Sequence, residues 1–223
     1  MRNIALERKI KQMLQQEIRG LYAITPEMSE TVNLVTMTQQ ALTGGARLIQ
    51  YRNKTADHFL QLKQAYLLAN LCRKFNALFI INDYLDLAIQ IDANGVHLGC
   101  GDITIAEAKQ KLGPGKIIGA SAYNRIESAI EAEQQGADYI AFGAFFTSTT
   151  KPDAATASVD LLYEAKQRLR IPIVVIGGIT PNNALELVHL GAAAVAVSSA
   201  LFGAPDIRST ADKFSKLFKR ADD

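Results

Sequence analysis

Residues 78–102, LFIINDYLDLAIQIDANGVHLGCGD, hold two short apolar runs, Leu78–Ile81 and Gly95–Leu98, each followed within a few residues by an acid, Asp83 and Asp102. Read as neighbouring parallel strands of an α/β fold, the two runs bring both carboxylates to one rim, where residues at strand ends carry chemistry. Two oxygen donors held there suit a hard cation such as Mg2+. Two blander roles compete: Asp83 as a solvated loop acid, Asp102 as a helix cap. Thr104 and Glu107 already spell a capping box for the following helix, which leaves Asp102 free.

Outward from this stretch, short apolar segments alternate with helical patterns. Strands are predicted at 21–25 (LYAIT), 47–52 (RLIQYR), 78–82, 95–98, 117–121 (IIGAS), 139–143 (YIAFG), 172–177 (PIVVIG) and 193–198 (AAVAVS). Helix-length intervals separate them. In 55–75, Phe59, Leu62, Tyr66, Ala69 and Cys72 line one face, and in 124–135, Asn124 with Glu127 reads as an N-terminal cap. Gly44, Gly136 and Gly191 each follow a helical stretch and precede the next strand, where a C-cap belongs. Eight such units in about 200 residues predict an α/β TIM (β/α)8 barrel. The rival, a doubly wound open sheet, lacks a glycine fingerprint in its first βα turn. Ahead of the barrel, Leu6, Ile10, Met13, Leu14 and Ile18 form a helical stripe ended by Gly20; at the far end Phe214, Leu217 and Phe218 pack a last helix. The expectation is a single domain over 1–223, with a helix at 1–19 and the barrel at 20–223.

The charge balance, 24 Lys plus Arg against 22 Asp plus Glu, and the absence of a basic block argue against a nucleic-acid partner. No apolar run reaches the roughly 20 residues of a membrane span. The first 20 residues mix charge throughout instead of forming a signal core. A cytoplasmic protein acting on small molecules is expected, its oligomeric state open and a homo-oligomer among the arrangements allowed. Cys72 and Cys100 form no paired motif and read as free thiols.

Polar residues interrupt strands that should be apolar. Gln50, Arg52 and Lys54 are spaced by two and share a face, opposite Ile49 and Tyr51. Two cations at a strand end are tolerable when an anion lies between them, and Arg with Lys suggests phosphate or diphosphate, with Gln50 adding a neutral hydrogen bond. The alternative is that Arg52 pairs with an acid and Lys54 begins a solvated loop. The segment 144–158, AFFTSTTKPDAATAS, is rich in hydroxyls and carries Lys151; it suits phosphate oxygens, or is only a polar connection. Gly177 and Gly178 end the seventh strand and Ser198 and Ser199 the eighth, where barrels often hold phosphate. Thr180 and Pro181 equally read as the start of a helix. Ser121 puts a hydroxyl at the same rim. His97 reads as a hydrogen-bonded core residue, His58 and His189 as helical ones, and no general base is assigned.

In this order the segments LYAITP (21–26), QYRNK (50–54), IND (81–83), GVHLG (95–99), IGAS (118–121), GADYIAFGAFF (136–146), TK (150–151) and IGGI (176–179) resemble the thiamine-phosphate synthase family from Leu21 to about Phe202. The resemblance implies a Mg2+-dependent transferase that joins a hydroxymethylpyrimidine diphosphate to a thiazole phosphate and releases diphosphate. It implies Mg2+ at Asp83 and Asp102. It implies pyrimidine diphosphate on the segment Gln50, Tyr51, Arg52, Asn53, Lys54, with Asn82 and Lys151, and Ser121 beside the pyrimidine. Ser148, Thr149, Thr150, Gly178, Ser198 and Ser199 would hold the thiazole phosphate. Arg52, Lys54, Lys151 and Ser121 would carry the catalytic roles. Departures from the family pattern are Thr147 for Pro, Ser148 for Thr, Ser198 for an aliphatic residue, Cys100 for Gln and Asn94 for Asp. Two rivals remain: a thiazole-phosphate tautomerase on the same barrel, against which QYRNK and the two acids speak, and a carrier barrel that binds thiazole phosphate without chemistry.

Overall fold

The computed structural model describes residues 4–147 and 157–220. Eight strands, β1 (Gly20–Ile24), β2 (Leu48–Tyr51), β3 (Leu78–Asn82), β4 (Gly95–Leu98), β5 (Ile117–Tyr123), β6 (Tyr139–Phe142), β7 (Ile173–Ile176) and β8 (Ala194–Val197), pair in parallel and in sequence order. β8 closes onto β1. The helices are α1 (Ile4–Glu17), α2 (Thr31–Thr43), α3 (His58–Lys74), α4 (Leu85–Gln90), α5 (Ile105–Leu112), α6 (Ile126–Gln135), α7 (Val159–Arg168), α8 (Ala184–His189), α9 (Ser199–Phe202) and α10 (Ile207–Arg220). This is the expected TIM barrel, preceded by the expected helix.

Strand alternation sorts the core into two layers. Leu21, Ala23, Ile49, Ile81, Val96, Ile140 and Val175 point outward under the helices. Tyr22, Ile24, Leu48, Ile80, Ile117, Tyr139, Val174, Ala194 and Ala196 fill the interior. Ile18, just past α1, is 1% exposed and joins that interior cluster, with Leu14 packed against it, so α1 plugs the N-terminal end. Lys11 fixes the plug through Asp138, 3.4 Å away, whose other oxygen accepts the Ile118 amide at 2.9 Å. Met13, placed by the periodicity on the buried stripe, is exposed.

Local readings need four further corrections. The buried face of α3 is Gln61, Gln64, Ala65, Leu68, Ala69 and Cys72, while Phe59 and Tyr66 stand in solvent. Two buried glutamines turn the helix: Gln61 donates to the Asn53 carbonyl at 3.0 Å, and Gln64 donates to the Met28 carbonyl and accepts the Tyr51 hydroxyl at 2.8 Å. α6 starts at Ile126 without a side-chain cap, so Asn124 does not cap it. Thr180 and Pro181 do not open a helix, because α8 begins only at Ala184. Gly20 belongs to β1, α1 having ended at Glu17. The capping box of Thr104 and Glu107, and the burial of Phe214, Leu217 and Phe218, are as expected.

Candidate active site

The strands deliver side chains to the C-terminal rim. In β2, Gln50 follows Leu48 into the barrel, 3% exposed, whereas Tyr51 turns outward to Gln64. The same parity carries Asn82 inward after Ile80; among the described residues no protein group hydrogen-bonds its side-chain amide. Asn53 is buried against the loop, donating to the Met28 carbonyl at 3.0 Å and to Gln64 at 3.1 Å. Thus within QYRNK the Gln50, Arg52 and Lys54 side chains meet the rim, while those of Tyr51 and Asn53 build the scaffold beneath it.

Both rim cations are paired. Arg52 lies 2.6 Å from the Glu27 carboxylate in the loop after β1, and Thr25 accepts its backbone N–H at 3.0 Å. Lys54 lies 2.7 Å from Asp83. The hydrogen bond to Asp83 raises the Lys54 ammonium above its ordinary value, and the charge of Asp102 adds in the same direction. Asp83 thus holds Lys54 directly, while Asp102 acts on it only through its charge. Asp83 adopts φ 62° while its backbone N–H donates to the His97 carbonyl at 2.9 Å, which ties it to β4. Asp102 is not left free, contrary to expectation, for one of its oxygens accepts the Gly99 N–H at 2.6 Å and closes the loop after β4.

Among the described residues no three His, Cys, Asp or Glu side chains gather as a metal cage. The donor chemistry nevertheless fits Mg2+, which is commonly held by one or two carboxylates plus substrate phosphate oxygens. Here Asp83 already holds a cationic group, the Lys54 ammonium at 2.7 Å.

Inside the barrel four hydrogen bonds join five side chains from five strands. Gln50 donates to the Tyr22 hydroxyl at 2.9 Å; Tyr22 and Tyr139 share a proton bond at 2.8 Å; Tyr139 meets His97 Nδ1 at 2.9 Å; and His97 Nε2 meets the Ser121 hydroxyl at 2.8 Å. The His97 and Tyr139 rings stack at 5.5 Å. Gly119 is required here, since a Cβ would enter the Tyr139 ring. Burial lowers the His97 pKa to about 4, so the ring is neutral near pH 7. His97 is thus the buried, hydrogen-bonded residue its alternation suggested, and it holds a site residue.

At the opposite side of the rim, Gly177 and Gly178 have φ 99° and 62°. A Cβ on Gly178 would come within 2.6–2.7 Å of the Thr147 and Phe146 carbonyls, so glycine serves the packing of two loops as well as access to the backbone. Asn183 steadies this turn, accepting from Thr180 N–H at 2.8 Å and donating to the Gly178 carbonyl at 3.1 Å. Ser198 precedes the short α9 without a side-chain capping bond, and Ser199 is exposed. Ser148, Thr149, Thr150 and Lys151 lie outside the described residues.

Sequence reading missed Glu27, Tyr22, Tyr139 and Asn183. Tyr22 and Tyr139 carried a signal, being polar-tipped residues at inward strand positions; Glu27 carried none apart from its place after a strand.

A family model described as thiamine monophosphate synthase matches residues 21–201. A thiamine-phosphate synthase of Nitrosospira multiformis is 60% identical, over 92% of this chain and 88% of the relative. Another, of Nitrosomonas eutropha, is 52% identical over 91% and 95%. In structure the chain is similar to thiamine phosphate pyrophosphorylase from Pyrococcus furiosus, with a TM-score of 0.84 and 37% identity over 93% of this chain and 98% of that one. Similarity to orotidine 5′-phosphate decarboxylase from Pyrococcus horikoshii, at 12% identity and a TM-score of 0.65, reflects the barrel alone. With the match running through every strand end that supplies a rim residue, the chain belongs to the thiamine monophosphate synthase family.

Proposed function

We propose that the chain joins 4-amino-2-methyl-5-hydroxymethylpyrimidine diphosphate to 4-methyl-5-(2-hydroxyethyl)thiazole phosphate, or its carboxylated form, giving thiamine phosphate and diphosphate in the cytoplasm. The observation that carries this reading is the paired rim, where Arg52 and Lys54 sit on carboxylates that an incoming diphosphate and cation can replace. Diphosphate leaves the benzylic-type carbon, and Arg52, Lys54 and Lys151 take up the charge that develops on it. Asp83 and Asp102 would hold Mg2+, which supplies further charge neutralisation on the leaving group. The aminopyrimidine stabilises the cation left behind, and Gln50, Asn82 and Ser121 orient it. The thiazole nitrogen attacks with its own lone pair, which accords with the lack of an assigned general base. Ser148, Thr149, Thr150, Gly178, Ser198 and Ser199 bind the thiazole phosphate.

The test is thiamine phosphate formation by purified protein from the two substrates, with Mg2+ and with excess chelator. Metal-dependent product is expected. Binding of both ligands without product supports the carrier, whereas failure to bind the pyrimidine diphosphate moves the tautomerase forward.

A further inference from the structure

Strand β5 ends irregularly. Ser121 pairs with Ala141, but the next pair is Tyr123 with Phe142, so Ala122 is the extra residue of a β-bulge. Ala122 is buried under the helices, and Tyr123 takes φ 54°, in the left-handed region that a bulky residue rarely adopts. Its carbonyl accepts the Gly143 N–H at 2.8 Å, which fixes the turn, while its side chain is 48% exposed. Burial of a ring left half in water does not account for either irregularity. Bulges beside active sites re-aim side chains, and non-glycine residues in sparsely populated conformations gather at functional sites.

Tyr123 is aimed at the loop after β4, Gly99-Cys100-Gly101-Asp102. Two glycines give this loop wide conformational freedom. Gly101 stands at φ 91° with no atom within 4 Å of the place a Cβ would occupy, and Cys100 is exposed, so packing does not hold the loop. Two hydrogen bonds on consecutive amides do. Asp102 Oδ2 accepts the Gly99 N–H at 2.6 Å, and the Tyr123 hydroxyl oxygen accepts the Cys100 N–H at 3.5 Å. A backbone N–H only donates, so both directions are fixed. The first bond is internal to the loop and moves with it. Among the described residues, Tyr123 supplies the one side-chain hydrogen bond that reaches these four residues from another strand.

We infer that Tyr123 is a positioning residue that ties the loop after β4 to the end of β5 and so holds Asp102 at the rim. The other Asp102 oxygen has no hydrogen-bond partner among the described residues and is left for a cation. A carboxylate on an untethered glycine loop must be ordered when the cation arrives, and that ordering opposes binding. The bulge and the left-handed turn bring the phenol across to lower this cost in advance.

This inference rests on the cation site of the functional reading above, and two measurements let each fail on its own. The first needs no ligand: nitrogen-15 relaxation of the backbone amides in wild type and in Tyr123→Phe, which keeps the ring and removes the hydroxyl. Order parameters of about 0.8 are expected for residues 99–102 in wild type and below about 0.6 in the variant, with β4 unchanged. Equal values in the two proteins overturn the tether whatever the protein binds.

The second is titration with Mn2+ in the presence of diphosphate, read by the paramagnetic resonance of the free ion. Tyr123→Phe is expected to weaken Mn2+ binding about 3- to 5-fold, the size of one long neutral hydrogen bond. Affinity for thiazole phosphate, across the rim, is expected to stay the same; an equal loss there means general loosening and overturns the role. In an Asp102→Asn background, which keeps an oxygen for the Gly99 N–H and removes the charge, the same change is expected to cost less than about 1.5-fold, because Tyr123 acts through Asp102. A full effect in that background, or an unchanged Mn2+ affinity in Tyr123→Phe alone, overturns the positioning role. Failure of wild type to bind Mn2+ with diphosphate overturns the cation reading instead, while the relaxation still decides the tether.

Discussion

A lysine meets an aspartate at each end of this barrel, and the two pairs are built for opposite ends. At the N-terminal end, Asp138 is anchored by the Ile118 amide at 2.9 Å and roofed by α1, from which Lys11 reaches it at 3.4 Å. At the C-terminal rim, Lys54 lies 2.7 Å from Asp83, and its side chain is 49% exposed. The first pair has little to exchange with, because backbone and helix cover it. The second can open toward solvent, and the charge of a further acid, Asp102, acts on its lysine in the same direction as Asp83. Similar chemistry thus closes one end of the fold and leaves the other able to trade partners, the usual division of labour in this architecture.

The sharpest break between the two ends comes from neutral replacements. Asp83→Asn keeps a side chain that tolerates the positive φ but removes the charge. It is expected to lower kcat by about 1,000-fold with a melting temperature close to wild type. A loss under about 10-fold would remove Asp83 from the cation site. At the other end Ile18→Ala opens a cavity beneath the interior cluster. A cost of about 3 kcal/mol and a fall in Tm of about 6–12 °C are expected, with kcat unchanged. Loss of turnover in protein that still melts cooperatively would show that the plug reaches the rim.

How much of this contrast was legible follows from where each signal is stored. The strands could be read because their apolar runs are local and bounded by turns, and β3 and β4 are found within a residue of their expected limits. Gln50, Arg52 and Lys54 were legible from period-two spacing. Glu27 was not, since its pairing with Arg52 is created by neighbouring strands and leaves no trace in spacing. The face of α3 was misread because periodicity counts apolar residues, and here Gln61 and Gln64 are buried by satisfied hydrogen bonds while Phe59 stays outside. The interior chain was the least legible feature, as it takes one residue from each of five strands. Only closure of the barrel brings those five together.

A smaller effect is expected where the rim is already paired. Glu27→Gln keeps the hydrogen-bonding shape beside Arg52 and removes the competing charge. Diphosphate affinity is expected to tighten about 2- to 5-fold, with the gain shrinking as salt is raised. Weaker binding would mean that Glu27 aims the guanidinium more than it neutralises it. Either result bears on whether the rim cations wait in a form that must be released.

The smallest effect belongs to the closed end, and its pH dependence makes it diagnostic. Burial raises the Asp138 carboxyl above the ordinary value, opposed by the Ile118 amide and by Lys11. A carboxyl raised in the fold favours the folded state least when it is ionised, so stability drawn from this group declines as pH rises through the carboxylate range. Lys11 offsets part of that decline only while Asp138 is charged. Lys11→Ala is therefore expected to lower Tm near pH 7 by no more than about 2 °C, the partly exposed lysine being screened by water. The difference from wild type should close as the pH is lowered and Asp138 takes up its proton. Melting curves of both proteins across that range decide the matter: a gap that persists after protonation would assign the role of Lys11 to its contacts with the Gly136 and Ala137 carbonyls, 3.5 Å away, and not to the ion pair.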